Sequence, residues 1–308
     1  MSAVQQRLAA FLAGFDRDAI AGAVVRRAGQ RPDEARLMVD TYLGEMPVGL
    51  ATVEPLLRPG ARLLEVGCGI GLLTAFLAAE GYEIVGVEPG EAGNFTFMTA
   101  LHEAAVAQLA RDARPDIRPI GAEGLSPGEH GTFDAIFSAN VLEHVMALPQ
   151  ALAAMGSVLR AGGAMRHLCP NYHVPFEPHL GIPLVPFVPR ATRHVLRGPI
   201  ERRRGVWDSV NFLTASRLAR LARRAGLSIA FDSGIMGDYM RRLGEDPVFA
   251  ERHEGMLGAL ARRPGMVRGL ARALDAVPPR LASPMRVTLR HRDRARADMV
   301  SERLTNGA

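Results

Sequence analysis

A glycine-rich segment near residue 67 has the spacing of a ligand-binding loop. Gly67, Gly69 and Gly71 alternate with other residues and come directly after the apolar residues 63–66. Glycine lets the backbone turn sharply and pass close to a bulky ligand, because no side chain blocks the approach. A turn alone does not need three glycines in five residues. The spacing therefore predicts a ligand-binding loop between a strand and a helix.

A carboxylate, Glu88, ends the next apolar run, seventeen residues after Gly71. At the end of a second strand, a carboxylate can accept hydrogen bonds from both hydroxyls of a ribose, which predicts a nucleoside-containing ligand. Nucleotide-binding dehydrogenases share these features, but their glycines follow a Gly-x-Gly-x-x-Gly spacing. The Gly-x-Gly-x-Gly spacing, with Glu65 two residues before the first glycine, disfavours a nicotinamide-dependent oxidoreductase but leaves it as an alternative.

Residues 63–71, Leu-Leu-Glu-Val-Gly-Cys-Gly-Ile-Gly, resemble the glycine-rich motif of class I S-adenosylmethionine (SAM)-dependent methyltransferases. Three further segments follow in the order typical of that family. Residues 121–123 resemble the segment that borders the adenine ring, residues 133–145 the fourth-strand motif, and residues 158–163 the lead into the fifth strand. The fourth-strand segment is most similar to the group that includes ubiquinone-biosynthesis O-methyltransferases. The resemblance covers residues 62–170 and implies SAM as the ligand.

The resemblance also implies which residues contact SAM. In the family, the acid at the position of Glu65 supports the amino-acid end of the ligand. The implied SAM-binding residues are Glu65, Gly67, Cys68, Gly69, Gly71, Glu88, Ala122, Glu123 and Ala139. Nothing in the sequence marks the Cys68 thiol as activated, so we expect it to fill space and not to act as a nucleophile.

Methyl transfer from a sulfonium is an in-line displacement, so the enzyme mainly has to align the acceptor, the methyl group and the sulfur. An oxygen acceptor also needs a base near neutral pH, and histidine is the commonest. Ligands of open parallel sheets lie at the carboxyl ends of the strands. His144 and His173 are therefore the predicted catalytic bases, with capping of the following helix as the alternative role of His144. The predicted acceptor-binding or lid residues are Asn171, Tyr172, Glu177 and His179.

Relatives in the ubiquinone group are associated with a divalent metal near the fourth-strand motif. This sequence departs from their pattern, because Asn140 stands where that group has an acid. Glu143 and His144 alone make a poor magnesium site, so we predict no metal. His173, Glu177 and His179 leave the question open, although such a set is more often a hydrogen-bonded loop.

The elements that must position these residues alternate between apolar runs and helical patterns. Strands are predicted at residues 63–66, 83–87, 117–120, 133–137, 164–168, 227–231 and 285–289. Helices are predicted at residues 72–79, 95–109, 146–159 and 214–225, with Gly162-Gly163 ending the third of them. The alternation predicts an α/β fold that is Rossmann-like and doubly wound, with a mainly parallel seven-stranded sheet.

The chain is expected to divide into an N-terminal helical region (1–60), a SAM-binding domain (61–292) and a mobile polar tail (293–308). The prolines between residues 170 and 213 exclude long helices and central strands, which predicts a lid. Residues 235–283 are predicted to form a helical insertion before the last strand. The predicted buried helix faces are Leu37, Met38, Tyr42, Leu43 and Met46 in the first region and Met266, Leu270 and Leu274 in the insertion.

The composition fits an ordinary globular protein, with 48% hydrophobic and 22% charged residues among 308. The sequence contains no apolar run long enough to span a bilayer. Its two cysteines form neither a disulfide framework nor a Cys-x-x-Cys pair, which favours a reducing cytoplasm, with peripheral membrane contact as a further option.

Residues 190–224 contain ten arginines and two acids. Such a window can bind a phosphate or carboxylate on the acceptor, or anionic lipid headgroups together with the segment 255–274. Few aromatic residues interleave with the arginines, so nucleic acid is disfavoured. A solvated helix face accounts for the window equally well.

The sequence thus predicts an enzyme that moves a methyl group from SAM to an oxygen or nitrogen atom. The acceptor is expected to be a small molecule or a lipid- or saccharide-linked group, and nothing in the sequence names it. A catalytically inactive SAM-binding module that regulates a partner is the alternative from a different class.

Overall fold

Three helices precede the first strand: α1 (Ala3–Ala13), α2 (Arg17–Ala28) and α3 (Pro32–Val53). A computed structural model of the chain describes residues 2–90, 97–245, 250 and 260–292. Ser2 and Gln5 form a reciprocal capping box at the start of α1, and the Asp16 carboxylate accepts the Ala19 N–H at the start of α2. The predicted helical character of the first sixty residues is confirmed.

The buried face of α3 differs from the predicted one. Its buried stripe is Ala35, Val39, Leu43, Met46 and Leu50. The prediction was right for Leu43 and Met46 but wrong for Leu37, whose side chain is 55% exposed. The stripe repeats every three to four residues from Ala35, so Leu37 falls on the solvent side of the helix.

One seven-stranded sheet forms the centre of the molecule. Its strands are β1 (Arg62–Val66), β2 (Glu83–Val87), β3 (Ile117–Arg118), β4 (Phe133–Ala139), β5 (Leu159–Cys169), β8 (Leu227–Phe231) and β9 (Met285–His291). The strand order is β3-β2-β1-β4-β5-β9-β8, and only β9 runs antiparallel to its neighbours. Four of the five residues of β1 are buried, as expected for a strand covered by helices on both faces. The predicted Rossmann-like fold is confirmed.

The connections on either side of the sheet are helices. Between the strands lie α4 (Leu72–Ala79), α5 (Met98–Val106), α6 (Pro127–His130), α7 (Leu148–Val158) and α11 (Ala215–Arg224). The predicted bounds of α4 are confirmed exactly, and Thr214 caps α11 by accepting the Arg217 N–H. The two apolar clusters on opposite faces of the sheet bury residues such as Leu63 and Leu64, which point to opposite sides of β1.

The boundary between α7 and β5 was predicted wrongly. The helix ends at Val158, and β5 begins at Leu159 and continues through Gly162 and Gly163. A Cβ atom at Gly163 would lie 2.7 Å from the Asp134 carbonyl oxygen. These glycines therefore allow β5 to pass close to β4 with an irregular register, and they do not end the helix.

The segment after β5 contains only short elements, as its prolines predict. A hairpin of β6 (Phe176–Glu177) and β7 (Ile182–Pro183) is followed by α8 (Thr192–Val195), α9 (Arg197–Arg202) and α10 (Arg204–Ser209). A separate apolar cluster centred on Ile200 and Trp207 holds these elements together. The lid therefore has its own small core.

The insertion before β9 contains α12 (Ile235–Glu245) and α13 (Pro264–Asp275), while residues 246–249 and 251–259 lie outside the described part of the chain. Val267 and Ala271 are the buried residues of α13, and Ala271 packs on Met240 and Leu243 of α12. The predicted face of α13 was wrong for Met266 and Leu270, which are 54% and 39% exposed.

The predicted mobile tail, residues 293–308, also lies outside the described residues. In the ranges that are described, the helices are too short or too polar to cross a bilayer.

The two leucines of α3 provide a matched test of this packing. Leu43→Ala should lower the free energy of unfolding by about 2–5 kcal/mol, because a buried leucine loses its contacts and leaves a cavity. Leu37→Ala should change it by less than about 0.5 kcal/mol, since its side chain is mostly in water. Urea denaturation of both variants measures the difference. Equal destabilisation would show that the helix packs through another face.

Candidate active site

The glycine loop connects the end of β1 to α4, as the sequence predicts. Gly67, Gly69 and Gly71 all have positive φ angles, which are strained for other residues. A Cβ atom at Gly67 would lie 2.5 Å from Val141, and one at Gly71 would overlap the Ile117 side chain. Val141 and Ile117 therefore leave no room for side chains at Gly67 and Gly71, whereas a Cβ atom at Gly69 would make only ordinary contacts.

Glu88 follows β2 and faces the glycine loop. Its Oε2 atom accepts the Gly69 N–H at 3.0 Å. Partial burial raises the pKa of Glu88, and this hydrogen bond opposes the rise. Its other oxygen atom has no hydrogen-bond partner within the described ranges, so the carboxylate retains acceptors for ribose hydroxyls. This arrangement fits a bound nucleoside.

Glu65 is buried at the end of β1, beside the first turn of α4. Its Oε2 atom accepts the Thr74 hydroxyl at 2.6 Å. Burial raises the pKa of Glu65 to about 8, while the Thr74 hydrogen bond lowers it. A buried carboxylate is stabilised by a nearby cation, so Glu65 fits the ammonium group at the amino-acid end of SAM.

Cys68 does not present its thiol to this site. Its Sγ atom packs against Gly86 of β2, its N–H donates to the Val87 carbonyl, and its carbonyl accepts the Gly71 N–H at 2.9 Å. Burial raises the pKa of the thiol well above its ordinary value. Cys68 is therefore a packing residue of the loop and contributes no side-chain group to a ligand.

Three further residues of the predicted SAM-binding set lie at the edges of the loop region. Ala122 is buried in a 3-10 turn (Ala122–Gly124) after β3, whereas Glu123 is exposed and its carboxylate lies over Gly121. Ala139 is the last residue of β4. Their predicted contacts with the adenosine part of SAM stay predictions.

Helix α3 closes the site from the N-terminal side, which the sequence did not predict. The Tyr42 ring would lie 3.5 Å from a Cβ atom at Gly69, so it lies beside the glycine loop. Burial raises the pKa of Glu45, one turn later, while the nearby His179 and Asn140 side chains lower it, so Glu45 lies close to the end of β4. The polar Glu45 within the apolar stretch Leu43 to Met46 is the sequence feature that would have indicated a site residue.

Four titratable residues meet where β4 and the lid hairpin come together: Glu143, His144, Glu177 and His179. The His179 Nδ1 atom lies 2.6 Å from Glu177 Oε1, and its Nε2 atom lies 3.9 Å from Glu143 Oε1. The rings of His144 and His179 are 5.0 Å apart at their centroids. We call this set the acid–imidazole cluster. It contains His144, Glu177 and His179 from the predicted residues.

Glu143 is the most unusual member of the cluster. Its side chain is fully buried, and neither carboxylate oxygen has a hydrogen-bond partner in the described part of the chain. Burial raises its pKa to about 8, against a smaller lowering effect of His179. A buried polar group of this kind normally has a partner, so its isolation here indicates a place for a ligand group.

The two imidazoles of the cluster have opposite acidities. Burial lowers the pKa of His144 to about 4, so this ring is neutral at pH 7. Burial also opposes the charge on His179, but its hydrogen bond to Glu177 and the charges of nearby carboxylates outweigh this effect and raise the pKa of His179. The same contacts outweigh burial at Glu177 and lower its pKa. His179 is therefore the stronger base of the two.

The segment after β4 is fixed by residues from the end of the lid. Asn211 Nδ2 donates to the carbonyl oxygens of Leu142 and Val145, at 2.7 and 2.9 Å. The Ser209 hydroxyl lies 3.0 Å from His144 Nδ1. These contacts join the lid to the segment after β4 that carries Glu143, and sequence spacing gave no indication of them.

The remaining predicted lid residues lie outside the cluster or support it. Asn171 donates to the carbonyl oxygens of Arg280 and Ala282 and accepts the N–H groups of His173 and Ala215. These bonds use both N–H groups and the oxygen of the amide. Asn171 therefore has a structural role, because it ties the start of the lid to neighbouring segments. Tyr172 is buried and donates to Glu177 at 3.1 Å. His173 is exposed, so its predicted catalytic role receives no support from its position.

The cluster also has the donor atoms of a metal site. One atom each from Glu143, His144 and His179 lie within 4.8 Å of one another. One carboxylate and two imidazoles suit zinc or another borderline cation better than magnesium. The absence of a metal stays a prediction, and elemental analysis of the purified protein would test it.

A family model described as a methyltransferase domain matches residues 41–230 of the chain. That range contains the glycine loop, Glu88, the acid–imidazole cluster and most of the lid.

Several proteins of known sequence resemble the chain. An uncharacterized protein of Mycobacterium tuberculosis (strain H37Rv) is 37% identical over 212 residues, which cover 66% of this chain and 70% of that protein. A ubiquinone biosynthesis O-methyltransferase of Aromatoleum aromaticum is 29% identical over 171 residues, covering 56% and 65% of the two chains.

Solved structures show a more distant similarity. A phosphoethanolamine N-methyltransferase of Haemonchus contortus, solved with S-adenosylhomocysteine, has a TM-score of 0.45 at 16% identity, covering 79% of this chain and 51% of that one. The cyclopropane synthase MmaA2 of Mycobacterium tuberculosis has a TM-score of 0.44 at 15% identity, with 87% of each chain covered.

The acidity of Glu65 gives a pH test of the site. Its folded pKa of about 8 exceeds its ordinary 4.5, so the folded state binds a proton that the unfolded state releases. Its stabilising contribution is complete below pH 4.5 and is lost as the pH rises to about 8.

Glu65→Gln keeps an acceptor for Thr74 but cannot ionise. The variant should therefore gain stability over the wild type between about pH 5 and pH 8, by at most ~1.4 kcal/mol per pH unit. Urea denaturation across this range, without ligand, measures the gap. A gap that does not widen with pH would contradict the burial argument.

Proposed function

The chain belongs to the class I SAM-dependent methyltransferase family, and on that premise we propose that it methylates an oxygen atom of a hydroxyl-bearing acceptor, with His179 as the base. The observation that supports this proposal is the His179–Glu177 pair, joined at 2.6 Å and facing the buried Glu143. The acceptor is a small molecule or the hydroxyl group of a lipid- or saccharide-linked compound.

When bound, SAM supplies an electrophilic methyl group on a sulfonium. The residues of this chain have to hold that ligand in line with the acceptor. Glu88 offers its free oxygen to the ribose, Glu65 offers a buried carboxylate to the ammonium group, and Gly69 adds no side chain between them. We expect the acceptor to bind toward the end of β4, because Val141 just after β4 lies against the glycine loop.

The proton of the acceptor hydroxyl passes to His179. Glu177 binds Nδ1 of the ring, so Nε2 is the atom left to take the proton as the new bond to carbon forms. The same carboxylate stabilises the imidazolium that results. His144 is less suited to this role, because its pKa near 4 makes it a weak base at neutral pH.

Glu143 gives the acceptor a second contact. With a pKa of about 8, its carboxyl group is mostly protonated at pH 7 and has an O–H to donate. A hydroxyl-bearing acceptor that bonds Glu143 would relieve its missing hydrogen bond. The name of the Aromatoleum relative, an O-methyltransferase, also supports oxygen as the accepting atom.

A nitrogen acceptor is the second candidate, and one observation favours it. Glu45 and Glu177 both lie close enough to His179 to raise its pKa, and two carboxyl groups around one cation site suit an ammonium group. An amine must lose its proton before it attacks, so His179 would serve the same purpose for it. A screen with a catechol, a primary alcohol and a primary amine as acceptors separates the two candidates through formation of S-adenosylhomocysteine.

The Glu177–His179 pair predicts a specific pH profile. His179 acts as a base only when it is unprotonated. Because its pKa is raised, kcat should increase with pH, and the midpoint of the increase should lie above the ordinary pKa of histidine. Glu177→Gln removes the charge that raises this pKa, so the rising limb should move to lower pH, with a modest loss of rate. His179→Ala should lower kcat by about 10²–10⁴-fold at all pH values.

His173→Ala tests the competing prediction from sequence. Its side chain is exposed, so the variant should keep both the rate and the profile. A large loss of kcat in His173→Ala, with an unchanged profile in Glu177→Gln, would contradict the assignment of the base to His179. The profile is measured with whichever acceptor of the screen turns over.

A further inference from the structure

The outer end of the lid exposes apolar side chains that the fold does not need. We define the lid tip as residues 185–197, which run from the end of the β6–β7 hairpin to the start of α9. Phe187 is 97% exposed, Val195 71% and Val188 55%. Scattered exposed apolar residues are ordinary. Phe187, however, is almost fully exposed and lies between Pro186 and Pro189, so its ring is held out toward the solvent.

The loop that carries Phe187 is held in shape. The buried Thr192 hydroxyl accepts the Val185 N–H at 2.8 Å, and the Ala191 N–H donates to the Val188 carbonyl at 2.9 Å. Phe187 has a φ angle of 65°, which is strained for a residue with a side chain. The fold thus holds an apolar side chain in water in a strained conformation, which is typical of a functional position.

The surroundings of the loop are strongly basic. Residues 185–204 contain six arginines and a single acid, Glu201. That acid pairs with Arg193 at 3.0 Å, whereas Arg197 and Arg202 are exposed and have no carboxylate partner among the residues described. The segment that carries the apolar tip is therefore strongly positive.

We propose that the lid tip docks on an anionic phospholipid surface. Phe187, Val188 and Val195 would enter the boundary between headgroups and acyl chains, and the surrounding guanidinium groups would bind the phosphates. Charge complementarity selects this partner, because an apolar tip in an arginine-rich segment fits a surface that is negative outside and apolar beneath. A second copy of the chain would bring the same positive charge to the contact.

The lid tip is continuous with the active-site hairpin. The Leu184 N–H donates to the Pro175 carbonyl at 2.9 Å, and Ile182 and Leu184 pack in the same cluster as Ile200 and Trp207. His179 lies between these two ends of the hairpin. Docking would therefore hold the acceptor side of the site near the bilayer; this consequence rests on the proposed function, whereas lipid binding itself does not.

The test is sedimentation of the full-length protein with vesicles of phosphatidylcholine alone or mixed with phosphatidylglycerol. The wild type should bind the mixed vesicles and not the neutral ones, and high salt should weaken the binding. Phe187→Ser should lower the partition coefficient about tenfold, and Arg197→Gln about fivefold. Leu37→Ser, an exposed apolar residue of α3, is the matched control and should bind like the wild type.

Three outcomes would overturn the proposal: no binding to mixed vesicles, equal binding to both kinds, or wild-type binding by Phe187→Ser. If Phe187→Ser instead lowers the molecular mass in solution, the lid tip joins two copies of the chain and the proposal is wrong. Calorimetry with S-adenosylhomocysteine on the same variants reports the fold and the SAM site. In Phe187→Ser and Arg197→Gln, weaker vesicle binding with retained ligand binding supports the lipid surface. A wild type that binds S-adenosylhomocysteine but not the mixed vesicles rejects the lipid surface alone and leaves the methyltransferase proposal standing.

Discussion

The hydrogen bond from the Gly69 N–H to Glu88 joins the ends of two parallel strands, and the site is arranged around it. It requires β1 and β2 to end at the same edge of the sheet, which parallel pairing provides. It also requires a backbone that can turn with positive φ at Gly67, Gly69 and Gly71. The same turn lies against Val141, just after β4, so the loop and the acid–imidazole cluster share one edge. The proposed function requires this shared edge, because a methyl donor in the loop has to reach an acceptor at the cluster.

The two carboxyl groups of the cluster are both buried, but they differ in how many hydrogen bonds they accept. Glu143 lies in the interior without a hydrogen-bond partner in the described ranges, while Glu177 has contacts to His179, Tyr172 and the Leu180 N–H. The carboxylate with contacts stays charged, and the one without them stays protonated. Hydrogen bonding thus favours the charged forms of Glu177 and His179, whereas burial favours the neutral forms of Glu143 and His144. Both members of the hydrogen-bonded pair belong to the lid.

The sequence predicted those parts of the structure that depend on local pattern. The apolar runs gave the sheet, and the bounds of α4, β2 and β8 were predicted to the residue. The glycine spacing located the loop, and carboxylates at strand ends located Glu65 and Glu88, because strand ends in a parallel sheet converge. Contacts between distant segments were not predictable: Tyr42 and Glu45 of α3 reach the site only through tertiary packing. Similarly, Gly162 and Gly163 resemble a helix stop in sequence, although the approach of β5 to β4 explains them.

Binding of S-adenosylhomocysteine, measured by calorimetry on the wild type and on Glu88→Ala with NADH as the control ligand, tests the central claim most directly. The account predicts that the wild type binds one equivalent and does not bind NADH. Glu88→Ala should bind at least about tenfold more weakly, because it loses hydrogen bonds to a charged acceptor. Binding of NADH without binding of S-adenosylhomocysteine would contradict the account and make the glycine loop a dinucleotide site.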